Sequence, residues 1–498
     1  MKLNVIGNIN KYYVQTLCMI FFPGEKFSEN VEEDGRDVPD LSLTLEERED
    51  GVRVLAELTL GNNNASSEKI YPLRDDVTYD RLKKIAVGDA VLSVCREVVG
   101  YRPSWGMLVG VRPSKVATEM FLQGMSKTRV KKTLVTDYFV IPKKAALATD
   151  VALAEAEYVG DIDPLACSVY ISIPFCPTRC AYCSFVSYTS KRLLDTIPDY
   201  LVMLENEINM TFDEIKRMGL HVKTVYIGGG TPTTLDASQL KHLLSVIDKN
   251  IDVTALEEYT LEAGRPDTIT AEKMEIAYNA GVNRISVNPQ TLNDDVLRLI
   301  GRSHTADDFL RAYEIARKSG IPIINTDVIA GLPGDRFASF SNSYDQIVAL
   351  RPENITVHTF SVKKASDALK SFSHVYSVRG GDVGKCVDYS QIKAMHEGYA
   401  PYYMYRQKNT VGNFENVGFA IDGKKGLYNI YMMEEIHSIF ACGAGAVSKF
   451  VDFAPANGKQ RVIERFFNQK YPYEYLSDNK NQQKIEAARE FYTRRGLI

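Results

Sequence analysis

The chain has 498 residues, 45% of them hydrophobic and 24% charged, an ordinary globular composition that divides into roughly two to four domains. Its 59 Lys and Arg against 63 Asp and Glu leave a formal net charge of −4, so it has no cationic excess for general nucleic-acid binding. No apolar run reaches the roughly 18–20 residues that span a bilayer. The apolar stretch 12–22 also lacks the basic segment and small-residue cleavage site of a secretion signal, so it reads as a buried strand or helix of a cytoplasmic protein.

Residues 1–160 alternate short strand-like runs, such as 52–60, with helical ones, and read as an N-terminal α+β domain. The acidic stretch 25–40 predicts an exposed loop, and the Asn- and Ser-rich 62–67 predicts a second. Around Trp105, Val111, Arg112 and Pro113 lies a compact apolar patch with one arginine. It reads as a loop packed on the next domain, with a ligand or interdomain contact as the functional alternative. An Ala-rich amphipathic stretch at 145–157 then leads into a linker at 160–164, which includes Asp161.

Beyond the linker the periodicity changes. Apolar strand candidates fall at 168–173, 224–228, 259–263, 284–288, 323–329 and 354–361. Helical patterns at 200–218, 238–249, 271–280, 294–300 with 307–318, and 339–350 separate them, which indicates a parallel sheet built of βα units. Six units suit an incomplete (β/α)6 TIM-like barrel better than a doubly wound sheet, and spacing by itself does not separate the two. In such barrels chemistry gathers at the carboxyl ends of the strands. The unusual residues stand there: cysteines after the first strand, Gly228 to Thr231 after the second, and Glu262 at the end of the third. Gln290 follows the fourth, Asp327 lies late in the fifth, and Ser361 closes the sixth. The final hundred residues change character again, with Tyr-rich and Gly-containing segments before a charged helical tail from about 459. The expected α/β organisation is an N-terminal α+β extension (1–160), a partial barrel (165–400) and a smaller C-terminal α+β cover domain (401–498).

Of the eight cysteines, Cys18, Cys95, Cys167, Cys386 and Cys442 are scattered and read as small core residues in a reducing compartment. Cys176, Cys180 and Cys183 form a C-x-x-x-C-x-x-C cluster, close enough to converge on one metal centre. A structural zinc wants a fourth ligand, and no His or second Cys pair lies nearby. A 4Fe–4S cube ordinarily takes four cysteines, so three leave one iron open. A zinc site completed from a distant residue and a chance grouping are the competing readings.

This spacing directly after a first strand resembles the radical S-adenosylmethionine (SAM) superfamily. The string Tyr170-Ile171-Ser172-Ile173-Pro174-Phe175-Cys176 resembles the oxygen-independent coproporphyrinogen III oxidases (coproporphyrinogen dehydrogenases) and their heme-chaperone relatives. The likeness runs in order through Gly228-Gly229-Gly230-Thr231-Pro232-Thr233, Glu262, Gly281 to Ser286, Gln290, Gly301-Arg302, Asp327 and Gly331-Leu332-Pro333-Gly334. It implies a 4Fe–4S cluster on Cys176, Cys180 and Cys183, and one or two SAM molecules. It also implies a tetrapyrrole substrate and an electron donor such as flavodoxin or ferredoxin.

Residue types fit those implied roles. Gly229, Gly230 and Thr231 offer backbone groups to the methionyl part of SAM, where the plain alternative is a tight strand-to-helix turn. Glu262 accepts from a cationic amine or from ribose hydroxyls, or is a solvated strand-end carboxylate. Tyr182 stacks near an adenine, or is a core aromatic. Tyr170, Gln290, Arg302, Asp327 and Ser361 match positions of SAM contacts, and Arg302 equally suits a substrate carboxylate. Asp327 sits in an apolar strand, where a buried charge needs a partner. His304 reads as a loop histidine outside the site, and no catalytic acid or base is assigned. The implied reaction is radical oxidative decarboxylation of propionate side chains to vinyl groups. Ser172 stands where the family's strand usually has His, and Phe185 where the dehydrogenase has a further Cys. The dehydrogenase's N-terminal Arg- and Tyr-containing segment has no clear counterpart in 1–160, and Tyr428 replaces a His of the heme-chaperone relatives. Other radical chemistry on a tetrapyrrole (methylation or ring opening), or non-enzymatic heme delivery, are the alternatives.

Overall fold

A computed structural model describes residues 1–28, 37–110, 112–160, 162–183, 187–361, 381–407, 410–453, 461–478 and 480–498. Phe185, Val111, Asp161 and residues 29–36 of the acidic stretch 25–40 therefore lie outside the described residues. The chain forms two compact units, one built mainly of Met1–Leu153 and Met404–Glu415, the other of most of the chain from Ala154 onward. Among the described residues no helix is long and apolar enough to cross a membrane.

In the first unit β1 (Lys2–Ile6) runs parallel to β2 (Asp40–Arg48), which continues antiparallel into β3 (Gly51–Leu60) and β4 (Asn63–Pro72). The stretch 62–67 is therefore no loop. Leu60 pairs with Asn63, so the turn is only Gly61 and Asn62, and Gly61 takes the positive φ of 57° that a two-residue hairpin demands. The apolar opening stretch is a helix, Lys11–Phe21, which buries Val14, Leu17, Cys18 and Phe21 at helical spacing. Trp105 is fully buried, and its indole Nε1 donates to Glu415 Oε2 at 2.8 Å, while Lys144 Nζ reaches Glu415 Oε1 at 2.5 Å. The Trp105 patch thus packs on a segment of its own unit, returned from far along the chain.

The second unit holds the parallel run. Its strands are β5 (Ala166–Ile173), β6 (His221–Gly229), β7 (Glu258–Glu262), β8 (Arg284–Ser286), β9 (Ile323–Ala330) and β10 (Asn354–Thr359). They pair in sequential order, each parallel to the next, which is the winding of an open (β/α)6 barrel and not of a doubly wound sheet. The run stays open because its outer strands find other partners. β11 (Ala400–Tyr405) and β12 (Asn416–Ala420) lie beyond β10, with β12 antiparallel to it. On the other edge β13 (Ser438–Cys442) pairs parallel with β5, followed by antiparallel β14 (Val447–Asp452) and β15 (Val462–Phe467). Strands β11 to β15 thus extend the central sheet at both edges.

Side-chain alternation gives this sheet two unlike faces. One is apolar, with Val225, Ile227, Tyr259, Leu261, Ile285, Ile324, Ile355 and Val357 buried. The other carries Thr224 and Tyr226, Glu258, Thr260 and Glu262, Arg284 and Ser286, Asn325 and Asp327, and Asn354, Thr356 and His358. At its amino end Arg284 Nε pairs with Glu258 Oε2 at 3.2 Å and also meets Asn354. Arg284 Nη2 donates to the carbonyl of Lys425 at 2.7 Å, and the amide of Leu427 donates to Glu258 Oε2 at 2.6 Å. A polar lumen can hold a ligand, whereas a fully apolar barrel interior is only a core.

One buried carboxylate ties the C-terminal segments to the barrel. Glu207, on the helix Ile197–Arg217, accepts from the Gly443 amide (2.7 Å), the Tyr475 hydroxyl (2.6 Å), Asn468 Nδ2 (2.8 Å) and Lys484 Nζ (2.5 Å). Burial works to raise its pKa, yet Lys484 and the other donors hold it below the ordinary carboxylate range. Glu207→Ala is expected to cost about 3–5 kcal/mol in urea unfolding, because Lys484 is left buried and unpaired. The double variant Glu207→Leu/Lys484→Met is expected to lose clearly less than either single change; an equal or larger loss contradicts this account.

Candidate functional site

The site begins where β5 stops. Pro174 cannot donate to a neighbouring strand, and the chain turns into the cysteine loop. That loop is held on three sides. The Cys176 amide donates to Tyr188 O (3.0 Å) and the Tyr188 amide to Pro174 O (2.9 Å). The Ala181 amide donates to Ile300 O (2.9 Å), and the Thr231 amide to Phe175 O (2.8 Å). Cys176 and Cys180 are buried, Cys183 is half-buried, and none of the three forms a disulfide. Thr231 Oγ1 lies 3.2 Å from Cys176 Sγ. Burial pushes the Cys176 thiol up to about 11, Thr231 opposes this, and Cys183 and Cys180 push it further up. An adjacent cation is what such a thiol needs to ionise.

The glycines serve this loop directly. A Cβ on Gly230 would lie 2.6 Å from the Phe175 carbonyl oxygen, and one on Gly228 would lie 2.9 Å from Glu262 Oε2. Gly229 has φ 108°, in the region that favours glycine. The motif therefore lets the second strand end press against the cysteine loop and the Glu262 carboxylate.

Glu262 closes β7, accepts a hydrogen bond from the Tyr226 hydroxyl, and has its pKa raised to about 7. Burial is the main cause; Tyr226 opposes it, and the nearby Asp327 adds to the rise. Asp327 behaves oppositely. It accepts from Asn325 Nδ2 at 2.8 Å and Asn288 Nδ2 at 3.0 Å, and His358 Nε2 stands 3.5 Å away. Burial raises its pKa, but His358 and these hydrogen bonds outweigh it and hold the carboxyl below its ordinary range. The partner that a charge in an apolar strand demands is thus present.

Gln290 adopts φ 69°, uncommon for a residue with a side chain, and is pinned there by two backbone bonds: its amide to Asp327 O (3.1 Å) and the Ile329 amide to its carbonyl (3.0 Å). Its buried side-chain Oε1 has no hydrogen-bond partner among the described residues. Such an orphaned acceptor is costly unless a ligand donor meets it. Buried Arg302 donates to the Tyr182 hydroxyl from Nη2 at 3.0 Å and to Gly264 O at 3.2 Å, which joins two residues expected at the site. Tyr170 stacks on Tyr226 at 6.0 Å and on Tyr428 at 6.2 Å, and Tyr226 on Tyr428 at 4.5 Å between ring centroids. Ser361 is buried just beyond β10.

Tyr226, His358, Asn288 and Arg265 belong to the same neighbourhood and escaped the sequence reading. Strand alternation marks two of them: Tyr226 is two residues before Gly228, and His358 two after Thr356, each on the polar face. His304 lies in a loop, as its sequence context predicts, and is buried there; burial followed by Arg302 lowers its pKa to about 4, so it stays neutral.

The donor set fits a sulfur-ligated cluster. Among the described residues no three His, Cys, Asp or Glu side chains gather tightly enough around a single ion. Three cysteines of one loop, with Thr231 Oγ1 beside Cys176 Sγ and Arg265 Nη1 facing Cys180 Sγ, are a sulfur-rich donor set of the kind that iron–sulfur clusters take.

Residues 170–347 match the family model described as the Radical SAM superfamily. The oxygen-independent coproporphyrinogen-III oxidase-like protein HemZ of Bacillus subtilis (strain 168) is 34% identical over 471 residues, 94% of this chain and 91% of its own length. The heme chaperone HemW of the same organism is 38% identical over 197 residues, 39% of this chain, and the match spans only 51% of that protein. Among solved structures, the Escherichia coli coproporphyrinogen III oxidase HemN, described as a radical SAM enzyme, shares the fold at a TM-score of 0.50. It is 21% identical, with 67% of this chain and 72% of that chain covered.

Glu262 carries a pH signature. A carboxyl raised from 4.5 to about 7 favours the folded state at low pH, and that contribution is lost as pH rises from about 4.5 through 7. Stability in urea is expected to fall across this window and the fall to be reduced in Glu262→Gln; identical slopes in the two proteins rule the raised pKa out.

Proposed function

Because the chain belongs to the oxygen-independent coproporphyrinogen-III oxidase-like family of the radical SAM superfamily, we propose that it decarboxylates the propionates of coproporphyrinogen III oxidatively to vinyl groups. The observation that carries the reading is the order of groups at one end of the parallel run. Thiols, glycines, Glu262, Gln290, Asp327 and Ser361 follow successive strands β5 to β10, at the end where such barrels do chemistry. The match to HemZ over 94% of the chain supports the tetrapyrrole substrate.

Cys176, Cys180 and Cys183 hold the 4Fe–4S cluster in this reading, and Tyr170, Tyr182, Gly229, Gly230, Thr231, Glu262, Gln290, Arg302, Asp327 and Ser361 surround SAM. When bound, the cluster and SAM would supply reductive carbon–sulfur cleavage and hydrogen-atom removal, and the substrate would then release carbon dioxide and pass one electron to an external acceptor. The protein's own part is orientation and exclusion of water. Asp327, held ionised, and Glu262, ionised above about 7, offer carboxylates to cationic and hydroxyl groups. Gln290 Oε1 offers an acceptor that the described residues leave unmet, and Cys176 and Cys180 sit in a buried loop from which water is largely excluded. The electron comes from a reducing partner of the flavodoxin or ferredoxin class.

The test is anaerobic incubation of iron-reconstituted protein with reductant, SAM and coproporphyrinogen III, with product separation by chromatography. Protoporphyrinogen with matching 5′-deoxyadenosine is expected. Deoxyadenosine with a different tetrapyrrole product refutes the substrate, and stable heme binding without SAM cleavage refutes the enzyme. Cys183→Ala is expected to lose the brown cluster absorbance while keeping its circular dichroism; a variant that retains an intact cluster shows that the ligand set is misassigned.

A further inference from the structure

Arg265 follows β7 by three residues, in the sequence Glu262-Ala263-Gly264-Arg265-Pro266-Asp267. Its backbone is locked in a short turn, with the Thr268 amide and hydroxyl both donating to its carbonyl at 3.0 and 2.8 Å. Only 3% of the residue is exposed. A guanidinium carries five N–H donors in a rigid fork, and burial demands a partner for each. Nε donates to Asp267 Oδ1 at 3.0 Å, and Nη2 to Asp267 Oδ2 and Ser303 Oγ, each at 2.9 Å. Nη1 donates to Thr178 O at 3.2 Å and to Cys180 Sγ at 3.8 Å.

All five donors are thus assigned, and one faces a cysteine of the metal-binding loop. The fork's orientation is fixed from behind, since Asp267 grips the Nε/Nη2 edge and leaves Nη1 directed at the loop. Arg302, the other buried guanidinium beside this loop, is committed differently, to the Tyr182 hydroxyl and Gly264 O.

We propose that Arg265 sets the reduction potential of the metal centre through its hydrogen bond to the Cys180 thiolate, as a positioning residue for electron entry. The inference rests on the reading that Cys176, Cys180 and Cys183 hold a 4Fe–4S cluster. One electron from an external low-potential donor adds one negative charge at the sulfurs, with no bond made and no proton moved. An N–H aimed at Sγ, with positive charge behind it, stabilises that added charge and raises the potential. Asp267 works against it as the counter-charge on the far edge.

The two residues therefore predict shifts of opposite sign, which general damage to the loop does not produce. The experiment is an anaerobic redox titration of reconstituted protein, without substrate, followed by electron paramagnetic resonance of the reduced cluster. Arg265→Gln is expected to lower the midpoint by about 59 mV or more, a tenfold loss in the reduction equilibrium of a one-electron couple. Asp267→Asn is expected to raise it, and Arg265→Lys to fall between Arg265→Gln and the parent protein. An intact cluster with an unchanged midpoint in Arg265→Gln overturns the proposal, as do shifts of the same sign in Arg265→Gln and Asp267→Asn. Should Arg265→Gln take up no iron, Asp267→Asn decides: an upward shift supports the proposal and no shift overturns it. Failure of the parent protein to form any cluster refutes the ligand assignment itself and not the role of Arg265.

Discussion

The approach of two backbones at the ends of β5 and β6 governs the rest of the site. Parallel pairing sets Ser172 opposite Gly228 and Ile173 opposite Gly229, and the chain beyond continues in contact, with Gly230 donating to Ile173 O and Thr231 to Phe175 O. A single Cβ at Gly230 would lie inside contact distance of Phe175 O, so the cysteine loop could not rest where it does. From this contact follow the Thr231 hydroxyl beside Cys176 and the packing of Gly228 against Glu262. The thiols stand at a fixed place relative to the third strand because the first two strands are pressed together without side chains between them.

Buried charge is the second organising constraint, and it is resolved in different ways at the two ends of the lumen. At the amino end Glu258 and Arg284 neutralise each other, and their remaining hydrogen-bonding capacity goes to Asn354 and to the backbone at Lys425 and Leu427. Buried charges paired within the fold in this way specify structure. At the carboxyl end the groups are left partly unmet. Glu262 is disfavoured as an anion, Gln290 Oε1 has no partner among the described residues, and Asp327 is held charged. The contrast in satisfaction separates scaffold from site on one polar sheet face.

Much of this arrangement is legible in the sequence. The six strand runs and the helices between them follow from hydrophobic period, and they fall at β5 to β10 to within a few residues. Glu262, Gln290 and Asp327 stood out because each interrupts or ends an apolar run. The stretch 62–67 was misread since Asn and Ser suggest a loop by composition, whereas a two-residue turn at Gly61 and Asn62 lets the same residues pair with β3. His304 was set aside on its loop position, and its burial comes from neighbours that only folding assembles. The Trp105 patch invited an interdomain reading because its partners, Glu415 and Arg406, lie roughly 300 residues away in sequence.

By itself the sequence determined the kind of chemistry: three thiols at close spacing, a glycine turn, and polar groups recurring at strand ends. These are local properties, set by spacing along one chain and by the twofold period of a strand. Only the tertiary structure decided which groups meet. Sheet register joins Tyr226 to Glu262, and loop packing brings Arg265 to Cys180 and Arg302 to Tyr182. Such pairings depend on where distant segments come to rest against one another, and no local pattern encodes that.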